Sequence, residues 1–514
     1  MASSLIRGKY VICKVNNRDD AQVIEDGAVF QRDGVIVEVG TFKTLSKKHR
    51  PDDMLGSDQH VVLPGFVNSH HHVGLLGFQM GTPDLPLELW YSHRLRKRDV
   101  DPYLDTLYSA FEMIESGITT VQHLHSRANG PVDRIYKAAN QVLKAYRDIG
   151  MRASYSFGLR DQNRLVYEAD EDFLKRLPPD LASAVAELLQ DQIIPLEDNF
   201  SLFEQLYREH NHAERVRIQL APVNLHWCSD KALTMLRDCA AKYRVPLHMH
   251  LLETKFQKEY ARRRCRGTAV GHVRDLGLLG PNLTLGHGVW LTESDIDLVA
   301  ESGTLICHNP SSNLRLRSGI APLNRLEQRG VRVSIGLDDC SLNDDRSMLQ
   351  EMRVALKVHR VPGMDDSVPT APQVLQMATE HGAITTPFGT SIGTLEAGKS
   401  ADIVIMDWKH ITYPYLDSEV PVVDALVHLA RTTGVETVLV SGEPIMRDHQ
   451  FVRVNKTEVL EELAASLNVP LRPHEEHRRE VARRLFPYIK RFYQDDGYLQ
   501  ESEREPFYHL NCRD

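Results

Sequence analysis

The sequence predicts an α/β protein: a (β/α)8 barrel of the TIM type with a small β-sandwich domain built from both chain ends. Three observations lead there. Eight apolar, strand-like runs alternate with amphipathic stretches across residues 61–394, the order in which parallel strands and crossover helices succeed one another. Several of those runs end in His or Asp, and the parallel strands of a barrel deliver their C-terminal ends to one face, where a shared site forms. Hairpin-like texture at the start of the chain returns after residue 395, which calls for one sheet domain assembled from the two ends. A doubly wound sheet is the alternative for the middle segment, but eight units in this length favour closure.

With 514 residues, 42% hydrophobic and 25% charged, the chain has room for one large domain and a smaller one. A net charge of -9 argues against nucleic acid or an anionic membrane as partner, because phosphate binding needs clustered Lys and Arg. The expected partner is a small-molecule substrate. Seven cysteines (Cys13, Cys228, Cys239, Cys265, Cys307, Cys340 and Cys512) include no CxxC pair and are odd in number, which fits reduced thiols in a cytoplasmic protein. The N-terminus has no apolar core of signal-peptide length, and no run approaches the length of a spanning helix.

Taken in order, residues 1–60 carry short apolar runs (Tyr10 to Ile12, Ala28 to Phe30, Val35 to Val39) broken by Asn-Asn and Asp-Gly, hairpin punctuation for the first half of the sandwich. The barrel strands are expected at Val61 to Val67, Thr119 to Leu124, Arg152 to Phe157, Arg217 to Val223, Leu247 to Leu251, Leu283 to His287, Thr304 to Cys307 and Val331 to Gly336. Amphipathic segments such as Leu104 to Ser116, Asp133 to Asp148, Ser229 to Lys242 and Glu293 to Ala300 fall between successive strands. Residues 395–454, with Ala401 to Met406 and Thr437 to Gly442, supply the second half of the sandwich. Residues 455–514 are charged and helix-prone and carry no recognisable chemistry: a packing appendage or a subunit contact. The expected assembly is a homo-oligomer, a dimer or higher.

Chemistry is densest at Pro246 to Glu253 (PLHMHLLE), where alternation along a strand turns His248 and His250 to one side and leaves Glu253 just past the end. Four other runs end in similar groups: PGFVNSHHH (Pro64 to His72), LTLGH (Leu283 to His287), TLICHNP (Thr304 to Pro310) and VSIGLDD (Val333 to Asp339). Any one of them could hold satisfied core histidines. Several in one chain point to strand ends that converge.

These motifs, with HNPSSNLRLRSGIAPL and the closing GTLEAGKSADIVIMD, resemble the amidohydrolase superfamily, in its branch of cytosine, guanine and methylthioadenosine deaminases and triazine hydrolases. The resemblance covers most of the chain and implies a deformed (β/α)8 barrel with a split β-sandwich. By motif it implies that His70, His72, His250 and Asp338 hold one divalent metal ion per chain, Zn²⁺ or Fe²⁺, and that His71 points away. Three nitrogens and a carboxylate suit such an ion with a position left for water. The run Gln219 to Pro222 has no lysine of the kind carbamylated in binuclear members, which favours one metal.

Metal binding lowers the pKa of water from about 16 to about 7. The resemblance implies that Asp338 accepts the water's remaining proton, that Glu253 carries a proton to the ring or leaving group, and that His287 orients the water or polarises the electrophile. His248 and His308 are expected to support the ligands or the structure around them. The chain departs from the deaminase pattern at His123 and His125 and at Asp339, where a glycine is common. Together with Gln79, His226 and Trp227, these are expected to form the substrate pocket.

The expected reaction is removal of an amine or ammonia from an sp² carbon of a small nitrogen heterocycle. Hydrolysis of an amide, urea or carbamate, or of a related triazine-type leaving group, uses the same groups and stays open. A metal-binding protein without catalysis is a third reading, opposed by the joint presence of Glu253 and His287. Two patterns mislead. Gly393 to Ser400 (GTLEAGKS) matches a phosphate loop but precedes a strand instead of a helix, and His474 to His477 (HEEH) lacks the spacing of a zinc-protease helix.

Overall fold

Both chain ends contribute to one hydrogen-bonded sheet, which a computed structural model describes together with the barrel for residues 3–494 and 497–499, apart from 73, 127–129, 191, 340, 341 and 365. The N-terminal segment supplies β1 (Ser3–Asn17), β2 (Asp20–Arg32), β3 (Val35–Thr41) and β4 (Asp53–Pro64). The barrel follows with β5 (Phe66–His71), β6 (Ile118–His125), β7 (Arg152–Leu159), β8 (Val216–Ile218), β9 (Ala221–Pro222), β10 (Leu247–Leu251), β11 (Leu283–His287), β12 (Leu305–His308) and β13 (Val333–Ile335). The chain then returns to the first sheet with β14 (Ile403–Asp407), β15 (Val435–Val440), β16 (Glu443–Arg447) and β17 (Gln450–Phe451), giving the order β17-β16-β15-β14-β4-β1-β2-β3.

That sheet folds over on itself. Val35 at the start of β3 bridges Ser400, and the Ala401 amide donates to the Gly34 carbonyl at 2.8 Å, although β3 and β14 are separated by three strands in the order. Ile6, Val11, Val29, Ile36, Val62, Ile403 and Leu439 are sealed inside the fold. Alternate residues of the same strands, Val61, Leu63, Val404 and Met406, face the barrel and merge with its core. A buried ion pair fastens the two units: Arg152 at the start of β7 donates from Nε and Nη2 to the two oxygens of Asp402, at 2.8 and 2.9 Å.

In the barrel, β5 to β8 and β10 to β13 form two parallel sheets, with β9 paired to the end of β7. Bridges His71 to Asp338, Leu220 to Leu247 and Asn224 to His250 join them into a closed, irregular ring. Several strand ends shift by one or two residues from the sequence reading, and two strands are organised differently. Val61 to Pro64 belongs to the sandwich strand β4, and the barrel strand begins only at Phe66. Gly65 makes the switch, because a Cβ there would lie 2.2 Å from Thr119 Oγ1. The fourth barrel strand, expected as one run over Arg217 to Val223, is split into β8 and β9, which pair with different parts of β7.

Residues 456–494 fold into the helices Lys456–Leu467 and Pro473–Gln494. Val481, Leu485, Ile489, Phe492 and Tyr493 of the second pack with Leu89, Val166, Phe173, Leu181 and Val185 in a core separate from the barrel's. Cys13, Cys228, Cys239, Cys265 and Cys307 are free thiols, and Cys340 and Cys512 lie outside the described residues. Among the described residues, no helix is long and apolar enough to cross a membrane.

Candidate active site

Four side chains meet where β5, β10 and β13 end. His70 Nε2, His72 Nε2 and His250 Nε2 stand 3.0 to 3.1 Å from one another, and Asp338 Oδ1 is 3.1 Å from His72 Nε2 and 3.6 Å from His70 Nε2. The opposite ring nitrogens fix the tautomers: His72 Nδ1 lies 2.7 Å from the Leu124 carbonyl and His250 Nδ1 lies 2.7 Å from the Val223 carbonyl. A carbonyl only accepts, so each Nδ1 carries the proton and each Nε2 presents a lone pair. His70 Nδ1 lies 2.8 Å from His248 Nε2, which can accept its proton and leave the His70 Nε2 lone pair free in the same way.

Lone pairs of three imidazoles repel at this range unless a cation lies between them. Ligands of a tetrahedral zinc, at about 2.0 Å from the metal, stand about 3.3 Å apart, so the donor set fits one divalent ion. His248 meets the cluster through His70. Burial and the neighbouring imidazoles hold His70 and His250 well below the usual histidine range, hence neutral. Burial also opposes charge on His72, but its hydrogen bond to Asp338 acts the other way and raises it, whereas the two neighbouring ligand-type rings are lowered.

Backbone geometry aims these groups. Leu252, His287 and Asp338 have φ of 52°, 71° and 55°, left-handed values that cost about 1–3 kcal/mol each in non-glycine residues and cluster at functional sites. The Asp338 amide donates to the His70 carbonyl at 2.8 Å, and Ser312 Oγ donates to Asp338 Oδ2 at 2.6 Å. Room for His70 comes from Gly336, where a Cβ would fall 2.4 Å from the His70 Cβ.

Glu253 and His287 flank the cluster. Glu253 Oε2 is 3.7 Å from His287 Nε2, which is itself 3.8 Å from Asp338 Oδ2. His287 Nδ1 donates to Asn313 Oδ1 at 2.8 Å, which turns its Nε2 toward the two carboxylates. The Glu253 amide donates to Gln257 Oε1 at 2.9 Å, at the start of the helix Lys255–Arg264. Burial, reinforced by the charges of Asp338 and Glu88, holds the Glu253 carboxyl well above the usual carboxylate range, which favours its protonated form.

One cavity opens onto His72, His250, Glu253, His287 and Asp338, and it takes in three of the six residues expected to line it: His125, Trp227 and Asp339. The other three stand elsewhere. His123 faces into the protein, donating from Nε2 to the His72 carbonyl at 2.9 Å and meeting Tyr146 Oη at 2.8 Å through Nδ1. On a strand end the alternation puts His125 and His123 on one side, but only the outer residue reaches the open face. His226 is buried, its ring centre 4.0 Å from that of Tyr167. Gln79 is bonded to the Leu76 amide and Tyr108 Oη. His71 is buried beside His123, and His308 pairs with His359, Nε2 to Nε2 at 2.9 Å.

The sequence reading missed the helix Leu87–His93, which supplies Leu87, Trp90 and Tyr91 to the cavity, and Arg94 directly after it. Arg94 Nη1 is 3.1 Å from Asp339 Oδ2, and its Nη2 donates to Ser126 Oγ at 2.7 Å. Burial opposes ionisation of Asp339, yet the charges of Arg94, Lys97 and His72 keep its carboxyl below the usual range.

Known proteins share this architecture. The pattern of the amidohydrolase family matches residues 61–445. A 5-methylthioadenosine/S-adenosylhomocysteine deaminase of Syntrophobacter fumaroxidans is 31% identical over 451 residues, covering 86% of this chain and 93% of the relative. A 5'-deoxyadenosine deaminase of Methanosarcina mazei is 30% identical over 469 residues, covering 90% of this chain and 97% of the relative. Among solved structures, an adenosine deaminase of Xanthomonas campestris with bound zinc has a TM-score of 0.77 at 24% identity, covering 90% of this chain and 97% of its own. An atrazine chlorohydrolase of Arthrobacter aurescens, complexed with zinc, has a TM-score of 0.77 at 20% identity, covering 90% and 99%. These two likenesses concern the fold.

Proposed function

The chain belongs to the amidohydrolase family, and from that premise we propose that it is a metal-dependent aminohydrolase acting on the adenine ring of a small nucleoside-like molecule. The observation that carries the reading is the meeting of three imidazole nitrogens within 3.1 Å of one another with the buried Glu253 carboxyl beside them. His70, His72, His250 and Asp338 would hold one ion, Zn²⁺ or Fe²⁺. When bound, that ion lowers the pKa of water to about 7 and polarises the carbon under attack.

The chain's own groups move the protons. Asp338 takes the proton that water loses as its oxygen bonds to the ring carbon. Glu253 gives its proton to the adjacent ring nitrogen, so that the electron pair displaced by the attack is neutralised. Glu253, now ionised, takes the remaining proton from the added hydroxyl and passes it to the exocyclic nitrogen, the C–N bond breaks, ammonia leaves with a ring carbonyl behind it, and the proton on Asp338 returns to Glu253. His287, neutral and fixed by Asn313, keeps the attacking oxygen between Asp338 and the ring. Glu253, His287 and Asp338 are thus the catalytic residues of this reading, and His125, Trp227 and Asp339 line the cavity that receives the heterocycle.

The named substrates of the relatives support the adenine class. The net charge of -9 supports a small molecule over a polyanion as partner, and free thiols support a cytoplasmic setting. A homo-oligomer, dimer or higher, completes the proposal, and sedimentation tests it. The deciding experiment is ammonia release from a panel of adenine nucleosides, free bases, amides, ureas and carbamates, with and without chelator. Chelator-sensitive ammonia from an adenine nucleoside is expected. Turnover confined to the acyclic substrates would replace this reading with amide, urea or carbamate hydrolysis.

A further inference from the structure

We propose that Asp339 selects the substrate by accepting hydrogen bonds from N–H or O–H donors on the heterocycle or its sugar, a role that rests on the deaminase reading of the same site. Asp339 lines the cavity that also holds Glu253 and His287, and it is 2% exposed. Among the described residues, neither of its carboxylate oxygens has a hydrogen-bond donor. Arg94 Nη1 lies 3.1 Å from Oδ2, an ion-pair distance without hydrogen-bond alignment. The charge is therefore compensated and the lone pairs are not.

Glu88 and Asp295, two buried carboxylates that also leave one oxygen bare, keep donors on the other, and three more are met on both oxygens. Asp402 receives the Arg152 guanidinium, the Ser441 amide and Ser400 Oγ. Asp105 receives the Gly74 and Leu75 amides, and Glu351 receives the Ser311 amide and hydroxyl. Those three sit in packed structure, whereas Asp339 sits on the wall of the catalytic cavity. A buried acceptor without donors is costly to leave so, and a ligand that brings the donors removes the cost only when bound.

Arg94 makes the arrangement rigid. Its Nη2 donates to Ser126 Oγ at 2.7 Å, and its guanidinium carbon lies 5.1 Å from the Trp90 ring centre. Held on two sides, it fixes Asp339 electrostatically and leaves the carboxylate oxygens for the ligand. A substrate with no donor facing Asp339 would bury the acceptor unmet, so the site discriminates against it. A pocket built to hydrogen-bond rejects analogues that lack the group much more strongly than an apolar pocket rejects a missing methylene.

The test compares metal-loaded wild type, Asp339→Asn and Asp339→Ala on paired ligands. One pair is 5'-deoxyadenosine and its counterpart without the 2' and 3' hydroxyls; the other is adenine and 9-methyladenine, which lacks the ring N–H. KM and kcat are measured with metal content, and the Kd of each deaminated product is measured by calorimetry. Asp339→Ala should raise KM about 10- to 100-fold for the donor-bearing member of one pair, the scale of a hydrogen bond to a charged group. It should act at most weakly on that pair's donor-lacking member, with metal retained. Which pair responds tells a sugar donor from a ring donor. Equal losses on both members of both pairs, or loss of metal in step with activity, would overturn the assignment. If wild type deaminates none of these ligands, the proposed substrate class fails, and the donor comparison moves to the heterocycle that the wider panel identifies.

Discussion

Replacing Glu253 with Gln separates proton transfer from everything else that this residue does. The side chain is 3% exposed, and its contacts are weak: Oε1 accepts from Ser318 Oγ at 3.4 Å, and Oε2 stands 3.7 Å from His287 Nε2. An amide keeps that shape and those contacts, and the backbone bond from the Glu253 amide to Gln257 is untouched. Metal content should therefore stay at the wild-type level. What disappears is the proton. Loss of a positioned general acid costs about 10²- to 10⁴-fold in rate, or about 3–5 kcal/mol in barrier height. The assay is single-turnover ammonia release from metal-replete enzyme. Unchanged turnover in that sample would show that the proton comes from another group.

The same substitution carries a pH signature. Burial raises the Glu253 pKa in the folded chain above its unfolded value of about 4.3. A folded state that binds the proton more tightly than the unfolded state loses stability as pH rises from that unfolded value to the raised folded one. Asp338 and Glu88 add to the penalty, because their charges act on the same carboxyl. Metal-free Glu253→Gln has no such loss, so its stability should gain on wild type as pH rises above the unfolded value of about 4.3.

His250→Ala removes one of the three clustered nitrogens and should drop metal from about one ion per chain to a small fraction by elemental analysis, with activity falling in parallel; full activity in a metal-free sample would contradict the ligand set. His125→Asn should change KM or substrate preference with metal retained, because that ring lines the cavity. His123→Asn, which strips Tyr146 Oη of its buried partner, should instead cost about 1–3 kcal/mol of folding stability with little change in preference. Asp402→Asn leaves the Arg152 guanidinium buried without a counter-charge, and urea unfolding should register a loss of about 3–5 kcal/mol; a loss below 1 kcal/mol would mean that the joint between sandwich and barrel does not depend on this pair.

The parts of this site that could be read from the sequence are those tied to strand periodicity. His70, His72, His250 and Asp338 sit at or just past the ends of apolar runs, and a barrel has one face on which such ends meet. The sandwich was legible for a related reason, since its hairpins are punctuated by Asn and Gly. The switch from sandwich to barrel at Gly65 was not, because Val61 to Val67 is one unbroken apolar run apart from Pro64 and Gly65, and only the contact with Thr119 separates its two halves.

Pocket residues outside the strand ends obey no such rule. Arg94 follows a short helix whose Trp90 and Tyr91 turn toward the cavity, and nothing in its spacing distinguishes it from the neighbouring Arg96 and Lys97. His123 and His125 carry the same residue type on the same side of β6, and depth along the strand separates a buried support from a cavity wall. The C-terminal helix offered no chemistry in sequence, yet Tyr493 Oη accepts the Tyr167 amide at 3.2 Å. Tyr167 Oη in turn donates to Glu88 at 3.1 Å, on the carboxylate that also receives Thr254, next to Glu253. Tertiary contacts of that kind leave no periodic trace.

The central claim is hydrolytic deamination at a ring carbon, and the position of the incoming oxygen tests it most directly. Metal-loaded enzyme is run on 5'-deoxyadenosine in ¹⁸O-labelled water, and the product is analysed by mass spectrometry alongside released ammonia. One ¹⁸O in the new ring carbonyl for each ammonia formed is the predicted result. Contradiction would come from an intact adenine nucleoside, together with label entering only the carboxylate, carbamate or carbon dioxide released from an acyclic substrate.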